Sequence, residues 1–422
     1  MKFEYIMSAL GMCGFNEHTE LVRDIINDYL KDRPNDFGML FNAMTEAKEG
    51  VKYYNKYNYK NLLSDSGGLQ ITTLGLSSEE IKKKHKEIYD IQSKYSTIAM
   101  CFDEMPIKLS HKIEGTQARL DVSNRYFIKD LVQDAALKTA DNIKEQIQVF
   151  QKNNSSTKIM LICQGNDLET YKEYAETVFN NLTEQEQSHI YGLAPAGACN
   201  GTGTLDRFDM LYAIKELDIP HNIKKNIHLL GVGSFTGLLP LVASPDYFSF
   251  IENLSFDSSS APRKYRIDGQ GLGQDQFGKE QPIEIVKQQY MRIIKYYMKY
   301  FKQVQGWNIE SFLENSTYYS SKNVKKVWMY RNRECNIHNS LALLLWFFVP
   351  AWKYEQVMLN IEKCKSIDFN YLKEITTYDE YIAFRKDIIR AYGLTSNKVQ
   401  AVQSEEEMNK SFEMKNLLGS LF

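Results

Sequence analysis

The chain carries little that would tie it to a membrane, a disulfide framework or a uniformly basic surface. Its longest apolar run, Leu341 to Val349, is shorter than the ~20 residues a membrane helix needs and reads as a buried helix. Met1 to Phe15 lacks a basic stretch followed by an apolar core and a small-residue cleavage site, so no secretory leader is expected. The cysteines, at 13, 101, 163, 199, 335 and 364, show no C-x-x-C or C-x-C spacing. They do not make a zinc framework by themselves and give no sign of disulfides; several sit in apolar runs, as buried reduced thiols do. A cytoplasmic protein is therefore expected. No G-x-G-x-x-G is present, which argues against an open dinucleotide-binding sheet. The formal net charge of −2 excludes a uniformly basic nucleic-acid binder but permits a local basic face.

What is present is a soluble composition, 43% hydrophobic and 25% charged, in 422 residues. That is ample for an α/β barrel of about 250 residues with further structure attached. Apolar, β-branched runs at 38–44, 60–64, 97–102, 158–163, 188–193, 227–232 and 248–256 read as strands. They alternate with helical periods at 78–93, 116–152, 168–181 and 205–217, the rhythm of parallel βαβ units. Gly192 to Gly197 and Gly231-Val232-Gly233 read as tight strand-to-helix turns. The strand list is one short of eight, and the expected fold is a (β/α)8 TIM barrel over about 1–300. A helix near 337–349 closes it, and 301–422 reads as a mostly helical C-terminal region. The segment 263–280 reads as an exposed loop, and 289–302 as an amphipathic barrel helix.

In such a barrel, chemistry sits where strands end. Asp65, Asp103, Gln164, Gly192, Gly233 and Asp257 all fall where a candidate strand stops. A single aspartate there is as readily a helix cap; three after separate strands, with a glutamine, form a set. Paired carboxylates suit glycosyl chemistry, one attacking or stabilising an anomeric carbon while the other manages the leaving group's proton. The residues alone thus point to a barrel that transfers or hydrolyses glycosides.

At these positions the chain resembles the tRNA-guanine transglycosylase family. Asp65-Ser66-Gly67-Gly68-Leu69-Gln70 is similar to the family's Asp-Ser-Gly-Gly-aromatic-Gln, and Phe102-Asp103-Glu104 to its Phe-Asp-Glu turn. Gln164-Gly165, Gly192-Leu193-Ala194, Leu229 to Gly233, and Phe256-Asp257 with Pro262-Arg263 follow in the family's order. The resemblance implies that Asp257 is the nucleophile forming a covalent sugar intermediate and that Asp65 is the general acid/base. Asp103 and Gln164 would hydrogen-bond the base edge, Ser66 would support the pocket, and the backbone N–H near Gly192 and Leu193 would meet the base carbonyl. Leu230, next to Gly231, would pack on the base.

The chain departs from the family at Leu69, where an aromatic residue is usual, and in the loop Ser258 to Ala261. The Cys-x-Cys-x-x-Cys and distant His of the family's zinc site are absent, with only Cys335 and His338 nearby, so no metal and no other cofactor is expected. Because that subdomain contributes to the RNA-binding face of the tRNA enzymes, the resemblance is to the DpdA-type DNA-guanine transglycosylases of phages and bacterial modification clusters. These exchange guanine in DNA for a free 7-deazaguanine such as 7-cyano-7-deazaguanine. The expected partner is DNA, with tRNA the alternative, and a homodimer is the family's assembly. Two basic clusters suit phosphate contact: Arg263, Lys264 and Arg266 just after the nucleophile, and Lys325, Lys326, Arg331 and Arg333, with Lys322, around Trp328 and Tyr330. Solvated basic faces explain both equally. A non-catalytic nucleic-acid-binding subunit and a glycoside hydrolase are the rival readings.

Overall fold

The computed structural model describes residues 1–8, 19–33, 36–44, 57–68, 71, 76–106, 129–165, 168–196, 207–232, 238, 241, 248–257 and 283–303. It also describes positions 344, 345, 347–349, 351, 352, 354, 355, 358 and 359. Eight strands close into a parallel barrel in sequence order: β1 (Lys2–Ser8), β2 (Phe37–Asn42), β3 (Leu62–Asp65), β4 (Ile98–Met100), β5 (Lys158–Cys163), β6 (Ile190–Pro195), β7 (Asn226–Leu229) and β8 (Asn253–Asp257). The seam is the pairing of β1 with β8, with Tyr5 beside Phe256 and Ile6 beside Asp257. The (β/α)8 fold expected from the sequence is the fold observed.

Helices separate most of the strands: α1 (Thr19–Lys31), α2 (Ser78–Tyr95), α3 (Lys129–Lys152), α4 (Leu168–Asn180), α5 (Glu184–Gln187), α6 (Arg207–Glu216) and α7 (His221–Lys224). After β8 come α8 (Ile283–Tyr296) and α9 (Met298–Phe301). Local chemistry sets these boundaries. Ser77 starts α2 with a reciprocal cap: its Oγ accepts from the Glu80 N–H at 3.3 Å, and Glu80 Oε2 accepts from the Ser77 N–H at 2.8 Å. In β5, every residue after Lys158 is buried, because a parallel strand is covered on both faces.

The strand missing from the sequence reading is β1. Lys2 and Glu4 interrupt its apolar run, so it does not read as a core strand. Glu4 is accommodated by Asn61, whose Nδ2 donates to Oε2 at 2.7 Å, while burial pushes the carboxyl up to about 7. Glu4, Asn61, Tyr191, Asn253 and Ser255 line a cavity of about 360 Å³ at the N-terminal ends of the strands.

One turn assignment is corrected. Gly192 to Pro195 do not form a strand-to-helix turn but lie within β6, with Gly192 beside Met160 and Leu193 between Leu161 and Ile227. The glycine is there for close approach: a Cβ on Gly192 would lie 2.1 Å from the Asn226 carbonyl oxygen. Glycine and proline, read locally as punctuation, here serve a contact between strands.

The outer layer is aromatic near the seam. Tyr29 of α1 packs against Phe37, Tyr297, Tyr300, Phe347 and Phe348 at centroid distances of 5.3–5.8 Å. Helical positions between 344 and 359 complete this layer. Glu355 accepts from Tyr29 Oη at 2.6 Å and pairs with Arg33 at 3.1 Å, and Tyr354 stacks on Tyr5 at 5.8 Å. The described positions 344, 345 and 347–349 are helical and buried, as the reading of Leu341 to Val349 expects, while 304–343 and 360–422 lie outside the described residues. Among the described residues no helix is long and apolar enough to cross a membrane.

Candidate functional site

At the opposite end of the barrel from that cavity, β3 and β8 each finish on an aspartate, Asp65 and Asp257. Asp65 is held from three sides. Asn42, the last residue of β2, donates from Nδ2 to Oδ2 at 2.7 Å, and the backbone N–H groups of Ser66 and Gly67 also hydrogen-bond the carboxylate. These donors favour the ionised form, yet burial outweighs them, and with the neighbouring charge of Asp257 the carboxyl is raised above its ordinary range. Such a group holds a proton more readily than a free aspartate.

The turn after Asp65 requires glycine at position 67. Gly67 has φ +70°, and a Cβ there would come 2.7 Å from Met44 Cβ. Gly68 lies beside the next strand end, where a Cβ would meet Asp103 Oδ1 in ordinary contact at 3.4 Å. Ser66 is buried, and its Oγ accepts from the Gly68 N–H at 3.3 Å, which holds the turn in shape.

Asp103 follows β4, and Gln164 follows β5. Gln164 Nε2 donates a short hydrogen bond to Asp103 Oδ2. Gln164 Oε1 is buried with no partner among the described residues. The loop bearing Asp103 is pinned from behind: Glu104 N–H donates to Thr139 Oγ1 at 2.9 Å, Tyr174 Oη to the Glu104 carbonyl at 3.0 Å, and Asn142 Nδ2 to the Phe102 carbonyl at 3.2 Å. Burial, then the field of Asp65, pushes the Asp103 carboxyl up to about 7 despite the Gln164 bond.

That shift has a measurable consequence. Between the ordinary aspartate value near ~4 and about 7, folded Asp103 keeps a proton that the unfolded chain has released. Stability therefore falls as pH rises through that window and levels off above it. Asp103→Asn removes the costly charge while its Oδ1 still accepts from Gln164. We expect the variant to melt at least ~2 °C above wild type at pH 8, with the gap narrowing toward pH 4. A constant gap in thermal melts at both pH values would refute the assignment.

Asp257 is 7% exposed. Its Oδ1 accepts from the Gly231 N–H at 2.9 Å and lies 3.5 Å from His228 Nε2. Gly231 has φ +69° and sits in the turn after β7, as the sequence implied, with partly buried Leu230 before it. The structure thus gathers Asp65, Ser66, Asp103, Gln164 and Asp257 at the C-terminal ends of strands. Gly192 and Leu193 lie inside β6 instead. Gln70, Gly233, Arg263, Lys264, Arg266, Lys325, Lys326, Arg331, Arg333, Cys335 and His338 fall outside the described residues.

Two site residues escaped the sequence reading. Asn42 ends an apolar run just as Asp65 does, and that signal could have found it. His228 lies in the middle of β7, where only strand pairing reveals it. Among the described residues no group of three or more His, Cys, Asp or Glu side chains could hold a metal ion. Buried Cys101 and Cys163 are held as neutral thiols, since burial raises both, Cys163 to about 12. No family model matches the chain, and no curated protein matches its sequence.

Proposed function

We propose that the protein is a base-exchanging pentosyltransferase that replaces guanine in DNA with a free 7-deazaguanine through a covalent Asp257–sugar intermediate. The observation that carries this reading is the division of labour between two aspartates at one barrel mouth. Asp257 is oriented by the Gly231 N–H, whereas Asp65 is biased toward holding a proton and feels the charge of Asp257. Close carboxylates in unlike environments suit a nucleophile and an acid/base.

In the first half, Asp257 Oδ2 bonds to C1′ as the glycosidic C–N bond breaks, and its electron pair leaves with the base. Asp65 gives its proton to the departing base. In the second half, an incoming 7-deazaguanine loses its ring N–H proton to Asp65. Its nitrogen then attacks C1′ and releases the Asp257 carboxylate. Asp103 and the unpartnered Gln164 Oε1 supply acceptors for the donor-rich edge of a guanine-like ring. The target nucleotide must leave its stack to reach this mouth.

The test is incorporation of radiolabelled guanine or 7-cyano-7-deazaguanine into DNA and, in parallel, into transcribed tRNA. Label in DNA supports the reading, and label in tRNA alone replaces DNA as substrate. Label in neither polymer overturns base exchange.

A further inference from the structure

His228 is fully buried in β7 and placed by its register with β8, where it pairs with Ser255 and Leu229 pairs with Phe256. The imidazole spans two alternate residues of β8: Nδ1 lies 2.9 Å from Ser255 Oγ, and Nε2 lies 3.5 Å from Asp257 Oδ1. Nε2 makes no conventional hydrogen bond among the described residues. A carboxylate oxygen offers only lone pairs, so a bare Nε2 facing it would be repelled. In the neutral ring the proton therefore belongs on Nε2, which leaves Nδ1 as an acceptor. Ser255 must then be the donor to the ring; its other neighbour, the Ile227 carbonyl, is farther away at 3.4 Å.

Resting on the base-exchange reading above, we infer that His228 is a positioning residue for Asp257, with its tautomer set by Ser255. Oδ1 of the nucleophile accepts from the Gly231 N–H and faces the His228 Nε2–H at 3.5 Å, so Oδ2 is the oxygen turned to C1′. In the covalent state Oδ1 becomes the ester carbonyl, and the same donors face the charge that returns when the carboxylate is expelled. Holding one oxygen fixed therefore serves both halves of the exchange. No proton leaves the imidazole.

The test pairs turnover with a tautomer measurement. His228→Phe should lower kcat about 100-fold, as a misplaced reacting group does, with KM for the free base unchanged. His228→Gln, whose amide can donate to Asp257 and accept from Ser255, should recover most of that loss, and Ser255→Ala should fall between. Nitrogen-15 spectra of the imidazoles report the tautomer independently of turnover and of whether the Phe variant folds. The resonance lost in His228→Gln should be an Nε2–H form in wild type and should shift in Asp257→Ala. An Nδ1–H form, or equal kcat in His228→Phe and wild type, would overturn the inference. A wild-type protein that exchanges no base would dismiss the base-exchange reading instead, and the spectra would still decide the tautomer.

Discussion

Asp257→Ala should lower incorporation of labelled base by at least about 10⁴-fold, the scale seen when a nucleophile is removed. The barrel should survive the change. The side chain lies at the end of β8, where the ladder bonds of the strand are made by backbone; among the described residues its hydrogen-bond donor is the Gly231 N–H, with His228 Nε2 3.5 Å away. Asp257→Asn is the stricter control, because its Oδ1 still accepts from Gly231 yet has no charged oxygen to bond C1′. Both variants should melt close to wild type and fail to trap a covalent sugar adduct. Exchange retained in Asp257→Asn would place the nucleophile elsewhere. Asp65→Asn should behave differently: the adduct can still form from a good leaving group, but transfer to a new base stalls for want of a proton acceptor.

Gly192→Ala should be the most damaging small substitution in the described barrel. The new Cβ would fall 2.1 Å from the Asn226 carbonyl oxygen and 2.7 Å from Asn226 Cβ, both on the adjacent strand. Neither can swing aside as the end of a flexible side chain could. The register there is narrow, with Leu193 beside Ile227 the one aligned pair between β6 and β7. Forcing the strands apart should cost about 3 kcal/mol or more, read as a lower denaturation midpoint with an unchanged denaturant slope. Wild-type stability in this variant would mean that the two strands do not approach so closely.

The sequence revealed the barrel where strands obey the rule for parallel sheets. Lys158 to Cys163 is apolar throughout after its first residue and is found as the strand those residues suggest. It misled where a side chain's reason lies on another strand. Glu4 makes β1 look like a polar terminus because its partner, Asn61, is distant in sequence. Gly192 mimics a turn because the oxygen that excludes a side chain belongs to Asn226. The site followed the same division. Asp65, Asp103, Gln164 and Asp257 announce themselves by ending apolar runs, whereas His228 becomes visible only once β7 lies beside β8.

The clasp of Tyr354 and Glu355 on the first strand and helix bears on synthesis. The opening strand finds its second neighbour only when residue 253 is available, and the aromatic cover over that join waits a further hundred residues. A nascent chain therefore carries Tyr5, Tyr29 and Phe37 without that cover until residues 354 and 355 have been made. Contacts so distant along the polypeptide are the slowest to form and the most exposed to aggregation. This protein should lean on chaperones during synthesis more heavily than its size alone would require.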